Sequence, residues 1–279
     1  MSEKMEINLG LDKTGKKLVE KIAGAIGILY DSHGLKESER IFSKMMAEKI
    51  MEDASLSNEE KAFVWNEFKY IIAKNKNRKT ILEKAQYHLK ENANPNEMSD
   101  DWILEYWEKI GKIVMEDFQE LWGRLLAEEA NYPGTVSKRL LHNMFLMSKQ
   151  DVENFMNLTR FCFFDKKADM VHPIIFIKDN SAAYANSKIT TEVLRELEQF
   201  SLIEVDYAAG FSFHNKKDLM YTNHYIKLNA SRIFVGNVRL TADGQKLFKI
   251  VDKRNNDQIL AYTIQKLQYY GCDVKVISK

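Results

Sequence analysis

Gly10-Leu11-Asp12-Lys13-Thr14-Gly15-Lys16 has the spacing of a phosphate-binding loop, in which glycine amides wrap a phosphate and a lysine neutralises it. The next residue is Lys17, so the hydroxyl that should hold magnesium is missing, and only Met5 to Leu9 could supply the preceding strand. The tract reads first as the basic start of a helix, with nucleotide binding through Lys16 as an alternative. Six histidines, His33, His88, His142, His172, His214 and His224, are scattered without paired spacing or a cysteine neighbour, which does not support zinc. Gly210-Phe211-Ser212-Phe213-His214 starts like a nucleophile elbow but lacks the second glycine, and Glu204-Val205-Asp206 lacks the lysine of a restriction-type nuclease. No catalytic, cofactor-binding or metal-ligating residue is assigned and no cofactor is expected, so the reading leans away from an enzyme.

Two groups of cations are candidates for phosphate contact. Lys74, Lys76, Arg78 and Lys79 cluster with Lys69 and Tyr70 around an expected turn. Lys216, Lys217 and Arg239, with Lys188 and Arg195, make a second set, but Glu192, Glu196 and Glu198 put negative charge on the helix that would enter a groove. Direct base reading is not expected there. The whole chain offers no steering field, because 41 Lys and Arg face 40 Asp and Glu, for a net charge of +1. Any nucleic-acid binding must be local. The alternative for each cation is an ordinary solvated corner.

These residues need elements to position them. With only three prolines in 279 residues, long windows are open to helix, and apolar residues recur at helical spacing through most of them up to about residue 165. Ser57 with Glu60 and Ser148 with Asp151 fit capping boxes, and Ser99 is an expected N-cap. Asn92-Ala93-Asn94-Pro95-Asn96 breaks the pattern and marks a boundary. Gly24 and Gly27 inside an apolar helix imply close backbone approach to another helix. Beyond residue 165 the pattern mixes. A helix is expected over Ile189 to Phe200, and strands at Leu202 to Asp206, His224 to Leu228 and Arg232 to Leu240. Thr241 caps a short helix, a helix spans Gln258 to Tyr269, and Val274 with Val276 form an edge strand. The fold class is mainly α: a multi-helix bundle followed by a smaller α+β winged-helix-like domain. The expected divisions are 1–92, 93–166 and 167–279.

One stretch reads as a signature. It comprises Asp100-Asp101-Trp102, then Phe118-Gln119-Glu120-Leu121-Trp122-Gly123-Arg124-Leu125-Leu126-Ala127-Glu128-Glu129, followed by Pro133-Gly134, Ser137-Lys138-Arg139 and Ser148 to Asp151. On these residues, with Ile22 to Gly27 and the Leu240-Thr241-Ala242-Asp243-Gly244 turn, the chain resembles the bacterial and prophage-borne domain-of-unknown-function 2806 family. It departs from that family at Glu128, where the family shows glycine. A more distant likeness, carried by the tryptophan-x-x-leucine-leucine-alanine-x-glutamate pattern, is to abortive-infection alpha proteins, and it implies antiviral defence. Taken on their own, Trp122, Leu125 and Leu126 share one helical face and read as a core seam. Gly123, Glu129, Pro133 and Gly134 complete the structural signature. Arg124, Glu128 and Arg139 are expected to form a charge-assisted network across the Pro133-Gly134 turn.

The expected function is a non-enzymatic, defence-associated protein acting through protein or nucleic-acid contacts. The alternatives are a winged-helix DNA-binding regulator working through residues 170–279 and a nucleotide-binding protein. Twelve methionines and an aromatic fraction of 11% suit a protein partner or self-association. The start of the chain lacks a secretion signal and only two cysteines, Cys162 and Cys272, occur, so a cytoplasmic setting is expected. Ile22 to Tyr30 is nine residues long, short of the roughly 20 that cross a bilayer, so no span is expected. Triggered membrane contact by that segment is the rarer reading.

Overall fold

Helix-forming windows without internal proline become long helices, and their capping residues set where they start. A computed structural model describes residues 13–27, 35–177 and 186–278, with the side chains of 35–43 and 278 left aside. Gly10 to Asp12, His33 and the end of the Ile22 to Tyr30 segment lie outside the described residues. The chain is mainly helical, with ten α-helices and nine strands among the described residues, the strands all in the C-terminal part. It divides into two compact units, Met1–Leu141 and His142–Lys279.

The first unit holds α1 (Lys13–Ile26), α2 (Leu35–Glu52), α3 (Asn58–Gln86), α4 (Asp100–Ile110) and α5 (Glu116–Asn131); the division falls inside α6 (Lys138–Leu146). α3 starts on a complete capping box: Ser57 Oγ accepts the Glu60 N–H at 3.2 Å and the Glu60 carboxylate accepts the Ser57 N–H at 2.8 Å. With no Gly or Pro inside it, α3 runs unbroken through Lys74 to Lys79, so the turn expected there is absent. Ser99 holds the N-cap position of α4, but its side chain makes no capping bond. Gly24 and Gly27 are not at a helix contact either: an added Cβ would meet nothing within 4 Å at either, and Gly27 ends α1 with φ +68°. The close approach lies at Gly123 of α5, where a Cβ would stand 2.9 Å from Lys84 Cβ and 3.0 Å from the Ala85 nitrogen of α3.

In the second unit, α7 (Lys149–Leu158) starts on the Ser148–Asp151 capping box. It leads to β1 (Cys162–Asp165) and β2 (Met170–Pro173), then α8 (Thr191–Gln199) and β3 (Ile203–Val205). After these come β4 (Phe211–His214), β5 (Lys217–Tyr221), β6 (His224–Asn229), β7 (Arg232–Gly236) and β8 (Val238–Leu240). α9 (Ala242–Ile250), α10 (Asp257–Tyr269) and β9 (Asp273–Ser278) close the chain. Five strands form one antiparallel sheet in the order β2-β1-β5-β6-β9, which leaves β9 at an edge, and β3-β8 and β4-β7 form two-stranded ribbons. The expected strand from Arg232 to Leu240 is two strands in two different ribbons. Its break is Gly236, at φ +96° and so close to Ile175 that a Cβ would stand 2.1 Å from that carbonyl oxygen.

One face of the five-stranded sheet is the core of this unit. Phe163, Leu219, Tyr221, Ile226 and Leu228 pack with Leu260 and Leu267 of α10 and with Cys272, all buried. Burying such side chains contributes roughly 1.5–3 kcal/mol each. The Leu240-Thr241 turn is fixed beside it: Thr241 Oγ1 accepts the Gly244 N–H at 3.0 Å and donates to the Ser201 carbonyl at 2.6 Å. Gly244 has no room for a side chain, since a Cβ would lie 1.9 Å from the Leu202 oxygen.

Candidate functional site

Trp122, Leu125 and Leu126 are fully buried on one face of α5, and Tyr106 of α4 donates its hydroxyl to the Trp122 carbonyl at 2.8 Å. Trp102 stacks on Tyr106 at 5.0 Å and donates its indole N–H to the Val136 carbonyl at 2.8 Å. Glu129 is 1% exposed, and its two oxygens accept the Gly134 N–H at 2.6 Å and the Val136 N–H at 2.8 Å. Gly134, at φ +79°, makes the turn that allows this. Arg124 reaches Glu120 on its own helix at 3.0 Å, where His88 Nε2 lies 2.7 Å away and Lys84 3.6 Å away. Burial alone would raise the Glu120 carboxyl, but the hydrogen bonds from His88 and Arg124 bring it below its ordinary value. Glu120 is the centre of this network, and i,i+4 spacing to Arg124 is the signal that could have found it.

Most of the cations singled out in the sequence are already engaged by other side chains or carbonyls. Arg78 lies over the Trp107 ring at 4.6 Å and donates Nε to the Trp107 carbonyl at 3.1 Å. Lys74 lies over Tyr70 at 4.4 Å, and Lys79 is 3.9 Å from Glu83. Lys217 forms an ion pair at 2.5 Å with Asp165, whose side chain is 1% exposed. Arg239 is bound through two nitrogens to Glu204 and lies over Phe211. Lys76 and Lys216 point to solvent. Leu194 and Leu197 of α8 are buried, so its exposed side carries Glu192, Arg195 and Glu196.

A different surface brings cations and apolar side chains together. Cross-strand register aligns Val171, Phe164, Met220, Tyr225 and Ile277 in one row across all five strands. Directly opposed residues share a face, so this row lies on the side of the sheet away from the α10 core. Val171 is buried, Phe164, Met220 and Tyr225 are half-buried, and Ile277 is 48% exposed. The next row on the same face is Asp218, Lys227 and Lys275, all exposed. A groove of about 420 Å³ lies against it, lined by Lys166, Lys167, Asp218, Met220, Tyr225 and Lys227. Asp218 is 3.8 Å from Lys167, whereas Lys166, Lys227 and Lys275 have no carboxylate partner among the described residues. Four lysines thus face one carboxylate beside a row of apolar and aromatic groups. No motif announces this surface, because its rows are assembled from strands between residues 164 and 277.

No helix among the described residues is long and apolar enough to cross a membrane. A family model described as "Protein of unknown function (DUF2806)" matches residues 68–263. No curated protein and no solved structure matches the chain.

Proposed function

Because the chain belongs to the DUF2806 family of proteins of unknown function, whose name assigns no chemistry, we propose a function from the surface just described. The protein acts by binding, and its C-terminal unit holds single-stranded nucleic acid on the open sheet face. The observation that carries this is the pairing of two rows on one face. Phe164, Met220 and Tyr225 offer apolar and aromatic surface to bases, and Lys166, Lys167, Lys227 and Lys275 stand beside them for phosphates. Single strands are recognised by this combination of stacking platform and cationic track, because every base has an apolar face and every nucleotide a charge. The setting that best suits such a protein is bacterial or prophage-borne defence, in line with the abortive-infection likeness of the signature.

The test is a fluorescence anisotropy titration of labelled single-stranded RNA and DNA with the full chain. Lys227→Glu with Lys275→Glu should abolish binding while leaving the far-ultraviolet circular dichroism unchanged. Equal affinity for the wild type and this double variant removes the reading. The defence setting is tested separately, by expression in a phage-sensitive host. Unchanged plaque formation across a broad phage panel counts against it.

A second reading, a winged-helix DNA-binding regulator, is favoured by the succession of α8, the β3-β8 ribbon with β4-β7 between its strands, and the Thr241-capped α9. In that arrangement α8 would enter the major groove. The exposed Glu192 and Glu196 oppose it electrostatically. Duplex DNA in the same titration separates the two: preference for duplex, with loss on Arg239→Ala, supports the winged helix.

A further inference from the structure

The N-terminal half of α3 carries a core-type stripe that none of the described residues of its own unit covers. Five helical turns span 18 residues, so Phe63, Val64 and Glu67 stand on the same face as Ile81, Leu82 and Ala85. Ile81 and Ala85 are 0% exposed, whereas Phe63 is 67% exposed, and Tyr70 and Ile71 on the same stripe are 50% and 52% exposed. The described side chains of α2 do not cover this stripe. That helix is tied to the opposite side of α3, where Lys61 Nζ donates to the Met51 carbonyl at 2.9 Å and Trp65, Phe68 and Ile72 are half-buried. A continuous exposed row of large apolar side chains, rimmed by charge, marks an interaction surface.

We propose that this face pairs with the same face of a second copy of the chain, the two α3 helices running antiparallel across a two-fold axis near Glu67. The charge order along the stripe argues for this occupant. Glu59 and Glu60 lie at its N-terminal end and Lys74 at its C-terminal end, so inversion brings each Glu60 opposite Lys74 of the other copy. The same register sets Phe63 against Ile71, with Tyr70 beside it. A two-fold contact must be self-complementary in this way, and antiparallel alignment also places opposite helix-dipole ends together. Glu67 is the one residue that meets its own copy. Its carboxylates oppose each other at the axis and weaken the pair.

Sedimentation equilibrium and oxidative crosslinking of the full chain test the arrangement. The wild type should show a concentration-dependent dimer. Phe63→Glu and Lys74→Glu should each weaken it, Phe63→Glu by at least about 30-fold, the scale of a central hot-spot loss. Phe63 is exposed, so the thermal melt of Phe63→Glu should not move. Glu67→Gln should tighten the dimer. Glu67→Cys should give a disulfide-linked dimer under mild oxidation that the wild type does not give, its two cysteines being buried. A monomer at every concentration overturns the proposal, as when residues 1–12 or an unrelated partner take the face. So does a dimer that survives Phe63→Glu and fails to crosslink at position 67.

Discussion

Glu129 accepts the Gly134 N–H at 2.6 Å across the turn that ends its own helix, while its other oxygen takes the Val136 N–H at 2.8 Å. A single buried carboxylate therefore satisfies two backbone donors of the turn between α5 and α6. Trp102 donates to the carbonyl of that same Val136, so α4, α5 and the turn are locked through one residue. The polar part of the signature acts here as a clamp on backbone.

Removing that clamp should be costly. Glu129→Ala leaves both amides without their acceptor; the exposed Gly134 amide can turn to water, but the buried Val136 amide stays unsatisfied at roughly 1–3 kcal/mol, so a loss of about 1–3 kcal/mol is expected. Glu129→Gln keeps one acceptor and should lose about half as much. Urea unfolding followed by tryptophan fluorescence checks this, and a loss below about 0.5 kcal/mol for the alanine variant would contradict the clamp.

The same substitution should have opposite signs at two glycines. Gly244→Ala drives a Cβ to within 1.9 Å of the Leu202 carbonyl oxygen, an overlap with backbone that should cost more than about 3 kcal/mol. Gly24→Ala meets nothing within 4 Å in the helix α1 and should stabilise it by about 1 kcal/mol. Thermal denaturation of the two variants tests the pair. Equal effects would show that local packing does not decide them.

Acid sensitivity should trace in part to Asp165. Burial raises its carboxyl, but the hydrogen bond and charge of Lys217 and the amides of Lys167 and Ala168 outweigh this and hold it below the ordinary carboxylate range. A folded value below the unfolded one means that the stabilisation is present above the unfolded value of about 3.9 and is lost as pH falls through the folded value. Asp165→Asn should lower stability at neutral pH and flatten the decline below about pH 4. Denaturant midpoints measured from pH 7 down to about pH 2 read this directly; an unchanged acid limb would assign the decline to other carboxylates.

Binding of single strands should be salt-dependent in a way set by the open face. Four lysine contacts imply a slope of about −3 in log affinity against log salt, or roughly 50-fold weakening between about 50 and about 200 mM. Lys227→Glu should reduce the slope, and Tyr225→Ala should weaken binding without changing it. Arg239→Ala should change affinity by less than about twofold, because Glu204 already neutralises that guanidinium. Anisotropy titrations at several salt concentrations distinguish these roles.

The capping boxes were legible in the chain because their cause is local. Ser57 and Glu60, or Ser148 and Asp151, sit three residues apart, and their bonds form as soon as the helix does. The burial of Trp122, Leu125 and Leu126 follows from their common helical face. Gly24 misled for a related reason. A glycine in an apolar helix signals close approach only if a partner arrives, and the partner came to Gly123 instead. β1, β4 and β5 were not legible as strands, since each is only four or five residues long and owes its form to neighbours distant in sequence.

By itself the sequence determined the helical first half, the capping box that starts α3, the change of pattern near residue 165 and the family to which the chain belongs. These depend on residue type and on spacings of three and four, at which a helix brings side chains together unaided. Tertiary structure alone decided which charges are spent and which face is open. Lys217 meets Asp165 across 52 residues, and Phe164, Met220, Tyr225 and Ile277 become one row only when four strands take register. Long-range pairing has no local period to reveal it, so Lys217, nominated from sequence, was already paired and the lysines on the open sheet went unmarked.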